Sequence, residues 1–361
     1  MNTEILRIDR KNPDEEGIEK AGQIIKSGGL VAFPTETVYG LGGDALNPTS
    51  SRKIYEAKGR PSDNPLIVHI ADFDDIKRIA SLDDDEYTIE DVSKKAKKLA
   101  DLFWPGPMTI ILNKTDAVPY ETTGGLDTVA IRMPSDEVAR DFITAAGGYV
   151  AAPSANLSGR PSPTRASHVI EDLNDRIDMI IDGGDVDIGL ESTIVDLTGD
   201  RPLILRPGAI TDLDLAQVLE DIDYDPGIIS ADSKEAPKAP GMKYRHYAPK
   251  GELTVVRGED SKVTEYINEC AERDKHNLIK VGIICSDEHV LRYKAPSVKC
   301  AGKLGDETMV AHRLYSILRE FDEEDVEVIY SESFEGGNLG RAVMNRLLKA
   351  AGQKIIDIDK I

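Results

Sequence analysis

The chain has 361 residues, more than one ordinary hydrophobic core accommodates and enough for two. Its 40% hydrophobic and 30% charged residues, with no apolar run near the ~20 residues that span a bilayer, point to a water-soluble globular protein. The net charge is −21, about −17 of it within residues 1–249; so acidic a surface repels phosphate backbones, and stable direct nucleic-acid binding is not expected.

The first residues carry an acid early and no apolar signal core, which predicts a cytoplasmic location by default. Short apolar runs bounded by Gly, Pro or Asp then predict strands over residues 29–33, 65–70, 108–112, 128–133, 149–152, 179–182, 192–196 and 202–205. Between them, start signals and helical spacing predict helices over 50–57, 90–103, 135–146, 164–173 and 212–219. This is an α/β pattern: over residues 1–225, a twisted open mixed sheet with flanking helices. Residues 226–250 read as a linker, rich in Pro and without apolar periodicity. Its second half is dense in rings and cations, around Tyr244, His246 and Tyr247, which a plain spacer does not need. Residues 251–361 form a second, smaller α/β unit of the Rossmann-like, parallel-sheet kind. Its strands are predicted over 252–256, 281–285 and 326–330, and its helices over 264–273, 309–321 and 339–351. The stretch Gly340–Arg346 is a polar-studded helix that reads equally as a docking face or as a solvated one.

Cys270, Cys285 and Cys300 are odd in number and widely spaced, which predicts buried free thiols rather than a disulfide framework or a zinc site. The six histidines show no ligand spacing, so no protein-ligated metal is expected. No P-loop and no nucleophile elbow occur. The stretch Gly40-Leu-Gly42-Gly-Asp-Ala45 matches a dinucleotide fingerprint in form only and reads better as a turn of close backbone approach.

Other motifs gather at strand ends. In Lys58-Gly-Arg60, two cations flank a glycine and can converge on one multiply charged anion; a solvated loop is the alternative. Ser154-Ala-Asn156 follows a buried strand, as ligand-orienting groups do in α/β proteins, although Ser and Asn also favour turns. Thr37 lies in a polar run after the first apolar strand, and Arg132 ends another, where a charge is costly unless paired. Ser192 and Arg206 sit at two further strand ends, and the joint pattern points to a site for anions and hydroxyls.

Lys58-x-Arg60 with Ser154-x-Asn156, flanked by Phe33-Pro-Thr-Glu-Thr-Val-Tyr-Gly-Leu-Gly42 and Phe103-Trp-Pro-Gly-Pro-Met-Thr109, resembles the threonylcarbamoyl-AMP synthases, the YrdC-like family, over residues 1–210. Pro240-Gly-Met-Lys-Tyr-Arg-His-Tyr-Ala-Pro249 and the unit after it resemble the longer, two-domain form with a C-terminal accessory domain. The resemblance implies a nucleotidyltransferase that joins L-threonine, bicarbonate or CO2 and ATP into threonylcarbamoyl-AMP and pyrophosphate. A downstream threonylcarbamoyl-transfer complex would then modify tRNAs that read ANN codons. It further implies that Thr37, His69, Arg132, Ala152 and Ser192 hold threonine, with Lys58 and Arg60 catalytic. Lys58, Arg60, Asn64, Thr128, Ser154, Asn156, Ser162, Arg206 and Tyr247 would hold ATP, Tyr247 reaching back from the linker as a lid. Mg2+ would arrive with ATP, on no protein-ligated site, and no membrane partner is implied. A double-stranded RNA-binding module and an O-carbamoyltransferase relative are the alternatives; the acidity weighs against the first, and the missing zinc-finger cysteines against the second.

Overall fold

The computed structural model describes residues 2–82, 89–226, 239–240, 246–337 and 339–360, so most of the expected linker and lid over 226–250 lies outside the described residues. The chain divides into two units. The first comprises Met1–Ser158, Pro163–Asp187 and Glu191–Tyr244; the second comprises Gly159–Ser162, Ile188–Leu190 and Arg245–Ile361. Two short segments from within 1–225 thus belong to the second unit. Among the described residues no helix is long and apolar enough to cross a membrane.

In the first unit the strands are β1 Glu4–Arg7, β2 Val31–Phe33, β3 Gly40–Asp44, β4 Ile67–His69, β5 Met108–Asn113, β6 Thr128–Arg132, β7 Val150–Ala152, β8 Met179–Asp182, β9 Thr193–Asp196, β10 Leu203–Arg206 and β11 Asp223–Tyr224. They form one mixed sheet in the order β1-β8-β2-β3-β7-β4-β6-β5-β9-β10-β11. β4 and β6 run parallel, while β7 and β5 flank them antiparallel.

The two faces of the sheet are covered differently. Val68, Ile131, Ile110 and Val195 point to one face and pack with Ile54, Leu99 and Val169 from helices Pro48–Lys58, Ile89–Phe103 and Ala166–Leu173. On the other face, Val31, Phe33, Val150 and Met179 are covered by Ile18 and Ile25 of helix Glu15–Lys26 and by Phe142 of helix Glu137–Ala145. Farther along this second face, Ile67, Ala130, Ile111, Ile194 and Leu205 cluster with Ala239 of the 226–250 segment, and among the described residues the cluster contains no helical residue.

Several elements differ from the sequence reading. The glycine stretch at 40–45 is no turn; it is β3, antiparallel to both β2 and β7. Close approach was the right reason: a Cβ on Gly42 would stand 2.9 Å from Val150 Cγ1 and 3.1 Å from the Val31 carbonyl oxygen. Helix Glu15–Lys26 escaped the pattern because two of its buried positions are the small residues Ala21 and Gly22, where Gly22 lets the helix lie directly on Ala145. The expected helix over 212–219 is regular only over Asp212–Leu215. Beyond it the Gln217 and Val218 amides bond three residues back, to the carbonyls of Asp214 and Leu215, which tightens the coil out of α geometry.

In the second unit β12 Glu252–Arg257, β13 Val281–Ser286, β14 Ser297–Gly302, β15 Val328–Glu332 and β16 Ile355–Asp357 form a sheet in the order β14-β13-β15-β12-β16. Every pairing is parallel. Helices Asp260–His276, Glu307–Glu323 and Gly340–Ala350 alternate with the strands. The thiols of Cys270 and Cys285 are buried and free, but Cys300, on the edge strand β14, is half-buried, which corrects that expectation. In the Gly340–Arg346 stretch Arg341 is exposed and Asn345 half-buried, while Arg346 is fully buried with its guanidinium 6.0 Å from the centre of the Tyr247 ring.

Candidate active site

Strand register builds the first part of the site. His69 on β4 pairs with Arg132 on β6, and Arg132 pairs with Thr109 on β5. Ile194 continues the line on β9 beside Thr109, and Arg206 on β10 pairs with Ile194. Ser192 precedes β9 by one residue and shares a face with Ile194. These polar side chains are all buried, on the face whose cluster holds no helical residue among the described residues. Three of them, Thr109, Ser192 and Arg206, are also bonded to one another. The Ser192 hydroxyl lies 2.7 Å from that of Thr109, and Arg206 Nη2 donates to the Ser192 hydroxyl at 3.0 Å. Arg206 Nε donates to the Ser192 carbonyl, also at 3.0 Å.

The loop after β2 brings in Thr37. The Thr35 hydroxyl donates to the Val38 carbonyl at 2.7 Å and accepts from the amides of Thr37 and Val38. With its single proton used there, its 2.9 Å contact with the Thr37 hydroxyl must have Thr37 as donor. Thr37, fully buried, is thereby left with acceptor lone pairs. The residue between them, Glu36, was missed by the sequence reading. Its carboxylate lies 2.8 Å from Arg132 Nη2, with both side chains only 5% exposed. The available signal was a lone acid inside a polar run that interrupts apolar sequence.

His69 donates from Nδ1 to the Ile67 carbonyl, as an acceptor carbonyl requires, and meets the Phe33 ring edge-on. Burial first, and then the nearby Arg132 charge, push its imidazole down to about 3, so it is neutral at physiological pH.

The second part of the site joins two loops. Asn47 caps helix Pro48–Lys58, and Gly59, at φ 61°, ends it in the left-handed conformation a glycine adopts freely. Lys58 therefore sits in the last turn, buried, and its ammonium donates to the carbonyls of Ser154, at 2.5 Å, and of Asn156. The Lys58 carbonyl in turn accepts from the Ser158 amide at 2.9 Å. The Ser154 hydroxyl donates to Asn156 Oδ1 at 2.5 Å. The two sequence motifs are one structural feature, held by a buried cation. Arg60 Nη2 folds back on the carbonyls of Asn64 and Pro65 at 3.2 and 3.0 Å. Asn64 is buried, and its Oδ1 accepts no hydrogen bond from the described residues. Beside it, burial pushes the Tyr55 phenol up to about 12 while the Arg60 charge opposes the rise.

The expected residues thus fall at two ends of the β4–β6 pair. His69 and Arg132 stand at one end, with Thr37, Ser192 and Arg206 bonded or registered to the same line. Thr128, the first residue of β6, stands four residues from Arg132, about 13 Å along the strand, on the side of Asn64. Ala152 pairs with Ile67 on β7, and Ser154 follows it, so the Ser154–Asn156 loop leaves from that second end. Ser162 and Tyr247 belong to the second unit. There Ser162 is fully buried, and Tyr247 has a φ of 65° with its ring 5.2 Å from that of Tyr315. Among the described residues no group of three or more His, Cys, Asp or Glu side chains is placed to hold a metal ion.

Two family models match the chain. One, described as Telomere recombination (Sua5, YciO and YrdC), covers residues 23–208; the other, described as Threonylcarbamoyl-AMP synthase, C-terminal domain, covers 210–352. A threonylcarbamoyl-AMP synthase of Pyrococcus abyssi is 46% identical over 97% of this chain and 98% of its own length. The chain belongs to the threonylcarbamoyl-AMP synthase family. A threonylcarbamoyl-AMP synthase of Bacillus subtilis is 44% identical over 96% of each chain. Among solved structures, the Pyrococcus abyssi Sua5 protein complexed with L-threonine superposes with a TM-score of 0.91 at 44% identity, over 98% of this chain and 99% of that one. Membership in this family covers the two-domain form, since both models match and these relatives align over nearly their whole length.

Proposed function

We propose that the chain is an L-threonylcarbamoyladenylate synthase, joining L-threonine, bicarbonate or CO2, and ATP into threonylcarbamoyl-AMP and pyrophosphate. The observation that carries this reading is the buried line His69–Arg132–Thr109–Ser192–Arg206 across neighbouring strands of the sheet. A chain otherwise so acidic places two arginines there, Arg132 beside the Glu36 carboxylate and with its Nε unfilled among the described residues, which suits an anionic group of the substrate.

In this reading Arg132 pairs with the threonine carboxylate, while Thr37, Ser192 and neutral His69 offer partners for its polar groups, against the backbone of Ala152. The neutral threonine amine adds to CO2 with loss of a proton, or to bicarbonate with loss of water, to become a carbamate, whose oxygen attacks the ATP α-phosphate and expels pyrophosphate. Two anions must meet for that step, so fixed positive charge and fixed geometry supply most of the acceleration. At the second end of the β4–β6 pair, Arg60 provides the guanidinium fork for phosphate, with Asn64, Thr128, Ser154 and Asn156 as polar partners for the nucleotide. Lys58 holds the Ser154–Asn156 loop through its carbonyls and so fixes where those groups stand. Mg2+ enters as part of the ATP substrate, where it shields the leaving pyrophosphate. The product, formed in the cytoplasm, passes to a threonylcarbamoyl-transfer complex that modifies the adenosine beside the anticodon of tRNAs reading ANN codons.

Pyrophosphate release tests the reading. It should require threonine, bicarbonate and ATP together, and it should vanish in the Lys58→Ala, Arg60→Ala double variant. Release at the same rate without threonine would refute it.

A further inference from the structure

We propose that Glu36 is the anion that receives the α-ammonium of the substrate, so that Glu36 and Arg132 together read the two charges of an amino-acid zwitterion. The inference rests on the reading of Arg132 as the carboxylate anchor and adds to it a specificity-determining residue.

The case begins with what the pair leaves unmade. Arg132 Nη2 lies 2.8 Å from Glu36 Oε1, yet neither oxygen of that carboxylate is placed to accept a hydrogen bond from the described residues, and Arg132 Nε donates to none of them. Both residues are buried, Arg132 and Glu36 alike at 4% exposure. A buried ion pair is held stably when further hydrogen bonds fill the remaining lone pairs and protons. In this pair Arg132 Nη2 makes one further long bond, 3.5 Å to the Thr35 hydroxyl, while Arg132 Nε and both Glu36 oxygens go without.

Other buried acids of the molecule show the finished form. Glu332, in the second unit, accepts from the Ser286 amide and hydroxyl, each at 2.9 Å, and from the Tyr293 hydroxyl at 2.6 Å; His289 Nδ1 lies 2.8 Å from its other side. Asp136 caps helix Glu137–Ala145 through the Ala139 amide and pairs with Arg10 at 3.0 Å. Among the described residues, no other carboxylate has a buried oxygen without a hydrogen bond.

An unfilled donor on a cation, side by side with an unfilled acceptor on an anion, is complementary to one ligand chemistry: a carboxylate and an ammonium on the same carbon. Arg132 can turn its Nε edge to the ligand carboxylate while Nη2 keeps Glu36. Glu36 then faces the ammonium, and Thr37, left as an acceptor, stands in the same loop. An α-hydroxy acid offers Glu36 no cation, so it should be rejected far more strongly than the loss of one neutral hydrogen bond would produce.

Calorimetric titration with L-threonine and with 2,3-dihydroxybutanoate, which replaces only the ammonium by a hydroxyl, tests the assignment. Wild type should prefer threonine strongly. Glu36→Gln, which keeps size and shape, should weaken threonine binding about tenfold to a hundredfold, collapse the preference between the two ligands, and leave ATP binding unchanged. A folded Glu36→Gln protein that keeps the full preference would overturn the assignment. So would a wild-type protein that binds both ligands equally, a result that needs no variant to fold. If wild type binds neither ligand, the site reading itself fails along with the inference.

Discussion

Lys58→Met removes a buried ammonium while keeping nearly the length and bulk of the side chain. The ammonium donates to two backbone carbonyls, those of Ser154 and Asn156. Hydrogen bonds from a charged donor contribute about 1.5–3 kcal/mol each, so the gross loss is about 3–6 kcal/mol. Removing a charge that folding had to strip of water offsets part of this, and the net cost comes to about 2–3 kcal/mol. For a unit of this size that lowers the melting temperature by about 5–10 °C. The assay is a thermal melt followed by circular dichroism, beside a titration with a non-hydrolysable ATP analogue. The variant should melt early and bind the nucleotide weakly, because the Ser154–Asn156 loop is no longer held. If Lys58→Met melts with wild type and loses only activity, Lys58 is a phosphate-binding cation rather than the tie between two loops.

Three further outcomes follow from the same structure. Burial and the Arg132 charge hold the His69 imidazole near 3, whereas the unfolded chain takes up that proton below about 6.5. The unfolded state thus binds more protons between those values, and stability falls as pH drops through the window, by at most about 1.4 kcal/mol per unit. In urea melts the stability difference between wild type and His69→Asn should shrink by about 2 kcal/mol between pH 6.5 and 5, and a pH-independent difference contradicts the assignment. Gly42→Ala places a Cβ 2.9 Å from Val150 Cγ1 inside the sheet, and chemical unfolding should show a loss of about 1–3 kcal/mol. Ser192→Ala takes an acceptor from Arg206 and a hydroxyl from the threonine end, and should raise the KM for threonine about tenfold; an unchanged threonine KM would remove Ser192 from the site.

Much of the architecture was legible in the sequence because most of the central strands are apolar runs with sharp boundaries, as at Ile67–His69, Met108–Asn113 and Thr128–Arg132. The elements that escaped lack that contrast. β1 is largely exposed at the sheet edge, β3 is mostly glycine, and helix Glu15–Lys26 buries small residues. The candidate site was legible as a set of strand-end residues but not as an arrangement. Nothing in one strand says that His69, Arg132 and Thr109 fall in register across three, because register is fixed by the whole sheet. The Lys58 ammonium turns inward to carbonyls some hundred residues away, which no local pattern encodes. Glu36 stayed hidden because an acid in a polar loop is ordinarily solvated; only its burial against Arg132 marks it.

The most direct test of the account supplies purified protein with ATP, L-threonine and carbon-labelled bicarbonate and follows the label by mass spectrometry. The account predicts a labelled adenylate carrying threonine through a carbamoyl link, absent when any one substrate is withheld. An unlabelled threonyl-adenylate, or pyrophosphate release with no labelled adenylate, would contradict it.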